Sequence, residues 1–324
     1  MLTARLLRRS LHGLALLLAV SALTFLLSEW APGDFFDEMR LDPRLSDETV
    51  RALRERHGLD RPLPERYLRW LVSVLQGHLG FSFAYGQPAA ALLWPRARNT
   101  LVLTASASAL AWLAALPLGC AWARRRRGPL AAALGGGTAV LLAVPDVVVA
   151  LALMVAALRT GWLPVGGMAS LGHEEMTAAA RLRDLAAHLA LPALALALGM
   201  LPMLLRHVRT AVAGALDEPF VLAARAHGIP EWRILTRHAL PAAANPLVSL
   251  FGLSLASLLS MSLLVEAVMG WPGLGPLLLE AILARDFHLV LASVLASTVF
   301  LLGGNLAADL LLVAVDPRIR AEGA

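Results

Sequence analysis

Chemistry in this chain would have to come from nine histidines, 23 acidic residues and one cysteine. No two histidines fall in the His-Glu-x-x-His spacing that places a zinc pair on one helix face. His173 beside Glu174 and Glu175 is the densest cluster, and reads either as a nickel-handling loop or as a solvated polar one. No serine, histidine and acid pattern carries a nucleophile signature. All 28 basic residues are arginine, which excludes the lysine of a phosphate-binding P-loop and the amine of a Schiff base. Cys120 is the sole cysteine, so neither an internal disulfide nor a thiolate cluster forms. Beside Gly119, it reads as a small buried residue. The chain is therefore read as no enzyme, with no metal and no cofactor of its own.

Two acids sit where acids are costly. Asp146 follows Pro145 in the middle of an apolar stretch, and Glu266 lies near the end of another. Ionisable groups inside such stretches are functional candidates by default. Asp146 either lines a pathway, meeting a substrate amine where Pro145 breaks the helix, or is satisfied by a neighbouring helix or cavity water. Glu266 either helps close a pathway or is a helix-end carboxylate in contact with water. Asn305 and Asp309 share a helix face at i, i+4, and packing is the simpler reading there.

The elements that position these residues are apolar helices. Hydrophobic residues make up 58% of the chain and charged ones 16%, with mean hydropathy +0.68, well outside the soluble range. Six stretches approach the length of about 20 residues that a span needs: Leu11–Trp30, Leu101–Ala123, Leu130–Leu158, Leu189–Leu205, Leu247–Met269 and Leu289–Val315. The third and sixth are long enough to tilt or break, and the fourth is the shortest. Arg5, Arg8 and Arg9 precede the first span. Arg124–Arg127, Arg206 with Arg209, and Arg318 with Arg320 follow the second, fourth and sixth. The positive-inside rule then puts both termini in the cytoplasm. The net charge of +5 admits a nucleic-acid reading, but arginines at span ends are orientation signals, and no nucleic-acid partner is expected. Trp30, Trp94, Trp162 and Trp271 fall at outer ends, as an interfacial aromatic belt. The first span is not read as a cleaved signal, since residues 28–32 lack the small-residue pattern.

The outer loop 31–98 is long enough for its arginines to escape the orientation rule. Ser46 before Asp47-Glu48 reads as a helix start with Gly58 to end it, and Pro64–Leu75 as a second helix before the turn Gly77–Gly80. These pieces form a cap. No internal repeat is found. The organisation is then 1–99, a first span with its extracytoplasmic cap, and 100–324, a core of five spans carrying a cytoplasmic hairpin at 210–246.

That hairpin is the most informative segment. Asp217-Glu218-Pro219 reads as a helix start with Asp217 as its cap. The helix Phe220–His227 stops at Gly228, and Pro230-Glu231-Trp232 opens a second helix ending near His238, before Leu240-Pro241. An amphipathic helix–glycine–helix unit suits a groove on a partner protein.

Ala223-Ala224, Gly228 and Leu240-Pro241 resemble, in type and spacing, the cytoplasmic loop of permeases of binding-protein-dependent ABC importers. The runs Phe220–Gly228 and Arg237–Leu240 look like the dipeptide/oligopeptide/nickel branch. Ala31–Asp34, Gly58-Leu59-Asp60, Gly77–Gly80, Asn99-Thr100-Leu101, Glu266, Trp271–Gly275, Asn305, Asp309 and Asp316–Arg320 extend the resemblance along nearly the whole chain. Leu222, His238, Pro241 and His78 depart from the usual residues. The resemblance implies an all-α integral membrane protein with the type I ABC importer permease fold, in the bacterial inner membrane. It implies a coupling role for Ala223, Ala224 and Gly228, with Asp217, Phe220, Arg225, Leu240 and Pro241 in support. Implied partners are a second homologous permease, two ATP-binding subunits carrying ATP and Mg, and a periplasmic or lipid-anchored solute-binding protein. Peptides are the leading substrate class, with nickel complexes and opines behind, and alternating access is the implied mechanism. The rival from another class is a secondary transporter driven by an ion gradient. Such proteins show inverted repeats and paired interrupted helices.

Overall fold

The computed structural model describes residues 2–30, 33, 35–40, 46–56 and 61–315. The expected terminator Gly58 with Leu59-Asp60, the segment Ala31-Pro32 with Asp34, the side chain of Asp309 and the stretch Asp316–Arg320 lie outside the described residues. The order is α1 (Leu2–Trp30), α2 (Phe35–Met39), α3 (Asp47–Arg56), α4 (Leu63–Leu75), a two-stranded hairpin of β1 (Phe81–Ser82) and β2 (Gln87–Pro88), then α5 (Ala89–Arg124), α6 (Pro129–Ala143), α7 (Asp146–Thr160) and α8 (Ala178–Leu216). There follow α9 (Pro219–Ala226), α10 (Glu231–Ile234), a π turn at Leu235–Ala239, α11 (Leu240–Ala242), α12 (Ala244–Met269), α13 (Leu274–Leu283) and α14 (Phe287–Val315). Among the described residues, five helices are long and apolar enough to cross a membrane, and six if the bent pair α6 and α7 is one span.

The expected spans land on these helices with three differences. The third is broken: α6 and α7 meet at 102° across Val144-Pro145. The fourth, expected to be the shortest, is the longest at 39 residues. Its apolar window stops at Arg206, but the helix does not: the Thr177 hydroxyl caps its start by accepting from the Ala180 N–H, and Pro192 and Pro202 are absorbed inside it. Prolines in spanning helices are tolerated because neighbouring groups satisfy the freed carbonyls. Third, α13 is an additional short apolar helix between the last two spans.

The chain divides into two compact units. Of the described residues, one comprises 101–271 with residue 2 and 301–315. Within it, α8 packs against α6, α7 and α12. Helix association in lipid is driven by close packing rather than by expulsion of water, and α5 shows the device. Ala107, Ala111 and Ala115 recur every fourth residue and are buried. One turn on, Gly119 approaches α8 so closely that a Cβ there would lie 2.6 Å from Val208 Cγ1. Cys120 is buried beside it, as expected from its neighbour. The Trp112 indole N–H donates to Ser254 Oγ on α12 at 3.1 Å.

Trp30, Trp94 and Trp162 are exposed, in keeping with a belt, but Trp271 is 0% exposed and packs into the core with Met269 and Val265. The belt reading of Trp271 is wrong. The left-handed Gly270 ends α12 and turns Trp271 inward, with its N–H on the Glu266 carbonyl at 2.9 Å.

The other unit holds residues 3–100 and 272–300. Ser46 starts α3 as expected, its hydroxyl accepting from the Thr49 N–H at 3.2 Å. Phe25 is buried against Tyr67, Trp70 and Phe287, and Arg66 pairs with Glu29 at 2.8 Å. Asp286, which the sequence reading overlooked, is fully buried. It accepts from the Ser82 hydroxyl at 2.6 Å, the Ala84 N–H at 3.0 Å and the Leu289 N–H at 3.2 Å. One carboxylate thus caps α14 and holds the β hairpin.

Candidate functional site

The hairpin after α8 is closed almost entirely by contacts between near neighbours. Asp217 was expected to cap α9, and does not: Glu218 occupies that position, with no side-chain bond, while Asp217 ends α8. Its carboxylate is taken instead by Arg126, whose Nη2 lies 2.6 Å from both oxygens. Pro219 follows as the first residue of α9, where its missing N–H costs nothing.

The helix ends in a Schellman motif. Gly228 adopts φ +73°, its N–H bonds the Arg225 carbonyl at 2.9 Å, and the Ile229 N–H bonds the Ala224 carbonyl at 3.1 Å. Ile229 then packs back among the buried residues of the hairpin and of α8, the apolar contact that accompanies this turn. Across the turn, Arg225 Nε donates to Glu231 Oε1 at 2.7 Å. That hydrogen bond holds the Glu231 carboxyl below its usual range and raises Arg225.

The second helix does not stop near His238. It widens into the π turn, where the Leu240 N–H reaches back to the Leu235 carbonyl, and runs on through α11 towards α12. Pro241 has no N–H for the Arg237 carbonyl, and a proline is a recognised cause of such local widening.

The hairpin therefore has two faces. Val221, Ala224, Ile234 and Ala239 are buried against α8, and Leu240 is half-buried with them. Phe220, Leu222 and Trp232 are exposed, as are Ala223, Arg225, Gly228 and Pro241. Of the sequence-derived residues, Ala224 and Leu240 anchor the unit, Asp217 fixes its entry, and Phe220, Ala223, Arg225 and Gly228 lie on its open side. Leu222 and Trp232 belong to that side as well. Their signal was available: two large apolar residues on short helices whose inward positions are taken by Val221, Ala224 and Ile234.

The second site is the break between α6 and α7. Pro145 is extended, at φ −58° and ψ 142°, and Asp146 opens α7. A carboxylate there sits on the positive end of its own helix. It lies against α8, since a Cβ on Gly199 would be 2.5 Å from Asp146 Oδ1 and 2.7 Å from Met261 Cε of α12. Sequence reasoning missed Gly199, and nothing in the run Ala197-Leu198-Gly199-Met200 marks it. Glu266 lies in the last turn of α12 and is 0% exposed. It is not the water-facing helix end that one reading expected.

His173 is engaged by Asp184 in the second turn of α8. Its Nδ1 lies 2.7 Å from Asp184 Oδ2, while the Ser170 hydroxyl and N–H donate to the same carboxylate at 2.6 and 3.0 Å. No group of three metal-ligating side chains occurs among the described residues.

Residues 115–321 match the family model described as binding-protein-dependent transport system inner membrane component, and residues 1–103 match that of its N-terminal part. The chain is 34% identical over 320 residues to the oligopeptide transport system permease protein AppB of Bacillus subtilis, covering 98% of this chain and 99% of that one. It is 33% identical over 327 residues to the oligopeptide permease OppB of Mycobacterium tuberculosis, covering 99% and 100%. Against the dipeptide permease DppB of Lactococcus lactis, identity is 29% over 306 residues, covering 94% and 95%. Among solved structures, a chain of the inward-facing MetNI methionine ABC transporter matches at TM-score 0.53 and 19% identity. It covers 70% of this chain and 97% of that one, a likeness in fold.

Proposed function

This chain belongs to the family of binding-protein-dependent transport system inner membrane components, and from that premise we propose that it is one permease half of a peptide importer whose power stroke enters through the hairpin Pro219–Ala239. The peptide assignment rests on the oligopeptide and dipeptide systems for which its full-length relatives are named. ATP and Mg reside on partner ATPase subunits, a second permease completes the pathway, and a solute-binding protein delivers the peptide. Both termini lie in the cytoplasm, on the hairpin's side of the membrane.

One observation carries the coupling role: buried apolar residues anchor one face of the hairpin, while large apolar side chains stand exposed among charged ones on the other. Val221, Ala224 and Ile234 fix it to α8 while Phe220, Leu222, Ala223 and Trp232 stay open. A short helix that exposes large apolar side chains beside a buried anchor fits a groove on a partner. Motion of that partner is then transmitted to α8, and through α8 to the helices around the α6–α7 break. Nucleotide and loaded binding protein must each bind the two states of the pathway with different affinity for this to drive transport. Asp146 is assigned to the pathway, where it meets the peptide's amino group. Glu266, buried at the end of α12, helps to close it.

Gly228→Val tests the coupling. The variant is expected to insert and to assemble, but to lose most peptide-stimulated ATPase activity in proteoliposomes with its partners. Full stimulation in Gly228→Val would refute the role. Uptake that persists with a proton uncoupler and stops without ATP separates this mechanism from a gradient-driven carrier.

A further inference from the structure

A half-open cleft of about 660 Å³ lies where the end of α5, the start of α6, the end of α8 and the hairpin meet. Four guanidinium groups line it, from Arg124, Arg125, Arg126 and Arg225, against two carboxylates, Asp217 and Glu231. Each carboxylate is already committed: Asp217 to Arg126 at 2.6 Å and Glu231 to Arg225 at 2.7 Å. Arg124 adds to the field that lowers the Glu231 carboxyl, and with Arg125 it brings the positive groups to four against two carboxylates. The remaining wall is apolar, with Ala121, Leu130 and Leu216.

We propose that this cleft binds the phosphate headgroup of an anionic membrane lipid, Arg124 and Arg125 holding the phosphodiester while its glycerol and upper chains lie on Ala121, Leu130 and Leu216. The planar guanidinium fork matches phosphate oxygens in pairs. Position argues for a lipid over a free anion. Arg124 is the last residue of one spanning helix and Leu130 lies at the start of the next apolar stretch, so this side of the cleft adjoins two apolar helices. Inorganic phosphate would leave the apolar wall unused. Basic pockets between spanning helices are recognised headgroup sites. Orientation alone asks only for positive charge beside a span, not for a cleft with an apolar wall. The assignment does not depend on which protein docks on the hairpin, though an occupied cleft would brace both ion pairs at the hairpin's base.

The test uses the whole transporter assembled in discs of phosphatidylcholine with phosphatidylglycerol, then stripped into detergent and weighed intact by native mass spectrometry. The wild type is expected to retain phosphatidylglycerol in preference to phosphatidylcholine. Arg124→Ala/Arg125→Ala should retain several-fold less, and Arg124→Lys/Arg125→Lys should recover part of it. Arg183→Ala, at the other end of α8, serves as the control and should match the wild type. Should the alanine pair fail to assemble, the lysine pair still decides: retention unchanged from wild type would show that guanidinium geometry plays no part. Equal retention of the two lipids, or equal loss in Arg183→Ala, overturns the proposal. Displacement of the lipid by inorganic phosphate alone reassigns the cleft to a free anion, and absence of any retained lipid from the whole wild-type transporter, its ATPase subunits in place, reassigns it to the protein interface. Either result overturns the lipid assignment.

Discussion

Gly228 and Gly199 both lie where function is placed, and each is glycine for a different reason. At Gly228 the backbone takes φ +73° and a Cβ would meet nothing within 4 Å. The requirement there is conformational and local, imposed by a turn that six consecutive residues close among themselves. At Gly199 the backbone is ordinary helix, and the requirement is room: Asp146 Oδ1 and Met261 Cε occupy the space that a methyl group would take. The hairpin is a device of sequence neighbours, and the break between α6 and α7 is a device of distant ones. Substitutions should therefore fail differently in the two regions, by backbone strain in the first and by displaced side chains in the second.

The largest effect is expected where room is needed and nothing can yield. A Cβ at Gly119 would lie 2.6 Å from Val208 Cγ1 and 2.8 Å from its Cβ, an atom fixed to the backbone of α8. Gly119→Ala should separate α5 from α8 and cost about 1–3 kcal/mol, the range for overpacking. The readout is thermal unfolding of the purified complex. Val208→Gly, which removes both atoms, should make Gly119→Ala cost far less in that background than in the wild type, a coupling that neighbours in contact show and distant pairs do not. If Gly119→Ala melts like the wild type, close approach is not what holds these helices together.

Next comes the hairpin, where the left-handed backbone costs a bulky residue roughly 1–2 kcal/mol. Asparagine tolerates that conformation. Gly228→Asn should therefore keep most of the stimulated ATPase activity that Gly228→Val loses. Equal failure of both would shift the requirement from backbone to surface: a partner would then need a side-chain-free spot there, and the comparison with Gly199 would collapse.

At Gly199 the atoms in the way are the ends of side chains, which can swing aside. Gly199→Ala should leave thermal stability closer to wild type than Gly119→Ala does, while moving the Asp146 carboxylate. If Asp146 meets the peptide's amine, Gly199→Ala and Asp146→Asn should both raise the KM for peptides with a free amino terminus. The double variant should be little worse than either, because both act through one group. Unaltered transport and substrate preference in Asp146→Asn would remove the carboxylate from the pathway.

The same contrast explains what could be read in advance. Spans are legible because lipid demands about 20 apolar residues in a row, and the first span falls on Leu11–Trp30 in both readings. The Gly228 stop and the Pro230 start are local signals and were read. The break at Pro145 is legible as a consequence of proline, but neither its 102° angle nor the Gly199 of α8 that faces Asp146 is contained in any window of sequence around it. Trp271 was misplaced because an aromatic at a span end looks the same whether it faces a headgroup or is folded inward by Gly270. Asp286 was legible and overlooked: an aspartate directly before the apolar run of α14 is a capping signature. The Asp217 error was one of ownership, since an acid between two helices can close the first or open the second.

The smallest expected effect probes the hairpin's own closure. The hydrogen bond from Arg225 depresses the Glu231 carboxyl in the folded state, so its contribution is complete above the pKa of an unfolded glutamate. It is lost as pH falls through the lower folded value. Both side chains are substantially exposed, which holds such a pair to less than about 1 kcal/mol. Hydrogen exchange across residues 221–234 should show protection that declines on acidification in the wild type, and a lower, flatter profile in Glu231→Gln. Asp217, paired with Arg126, and His227 and His238 on the same hairpin are present in both proteins, so the difference between the two profiles isolates Glu231. Parallel profiles would mean that the Schellman turn and the buried Val221, Ala224 and Ile234 close the hairpin unaided, with the ion pair contributing only charge to its open face.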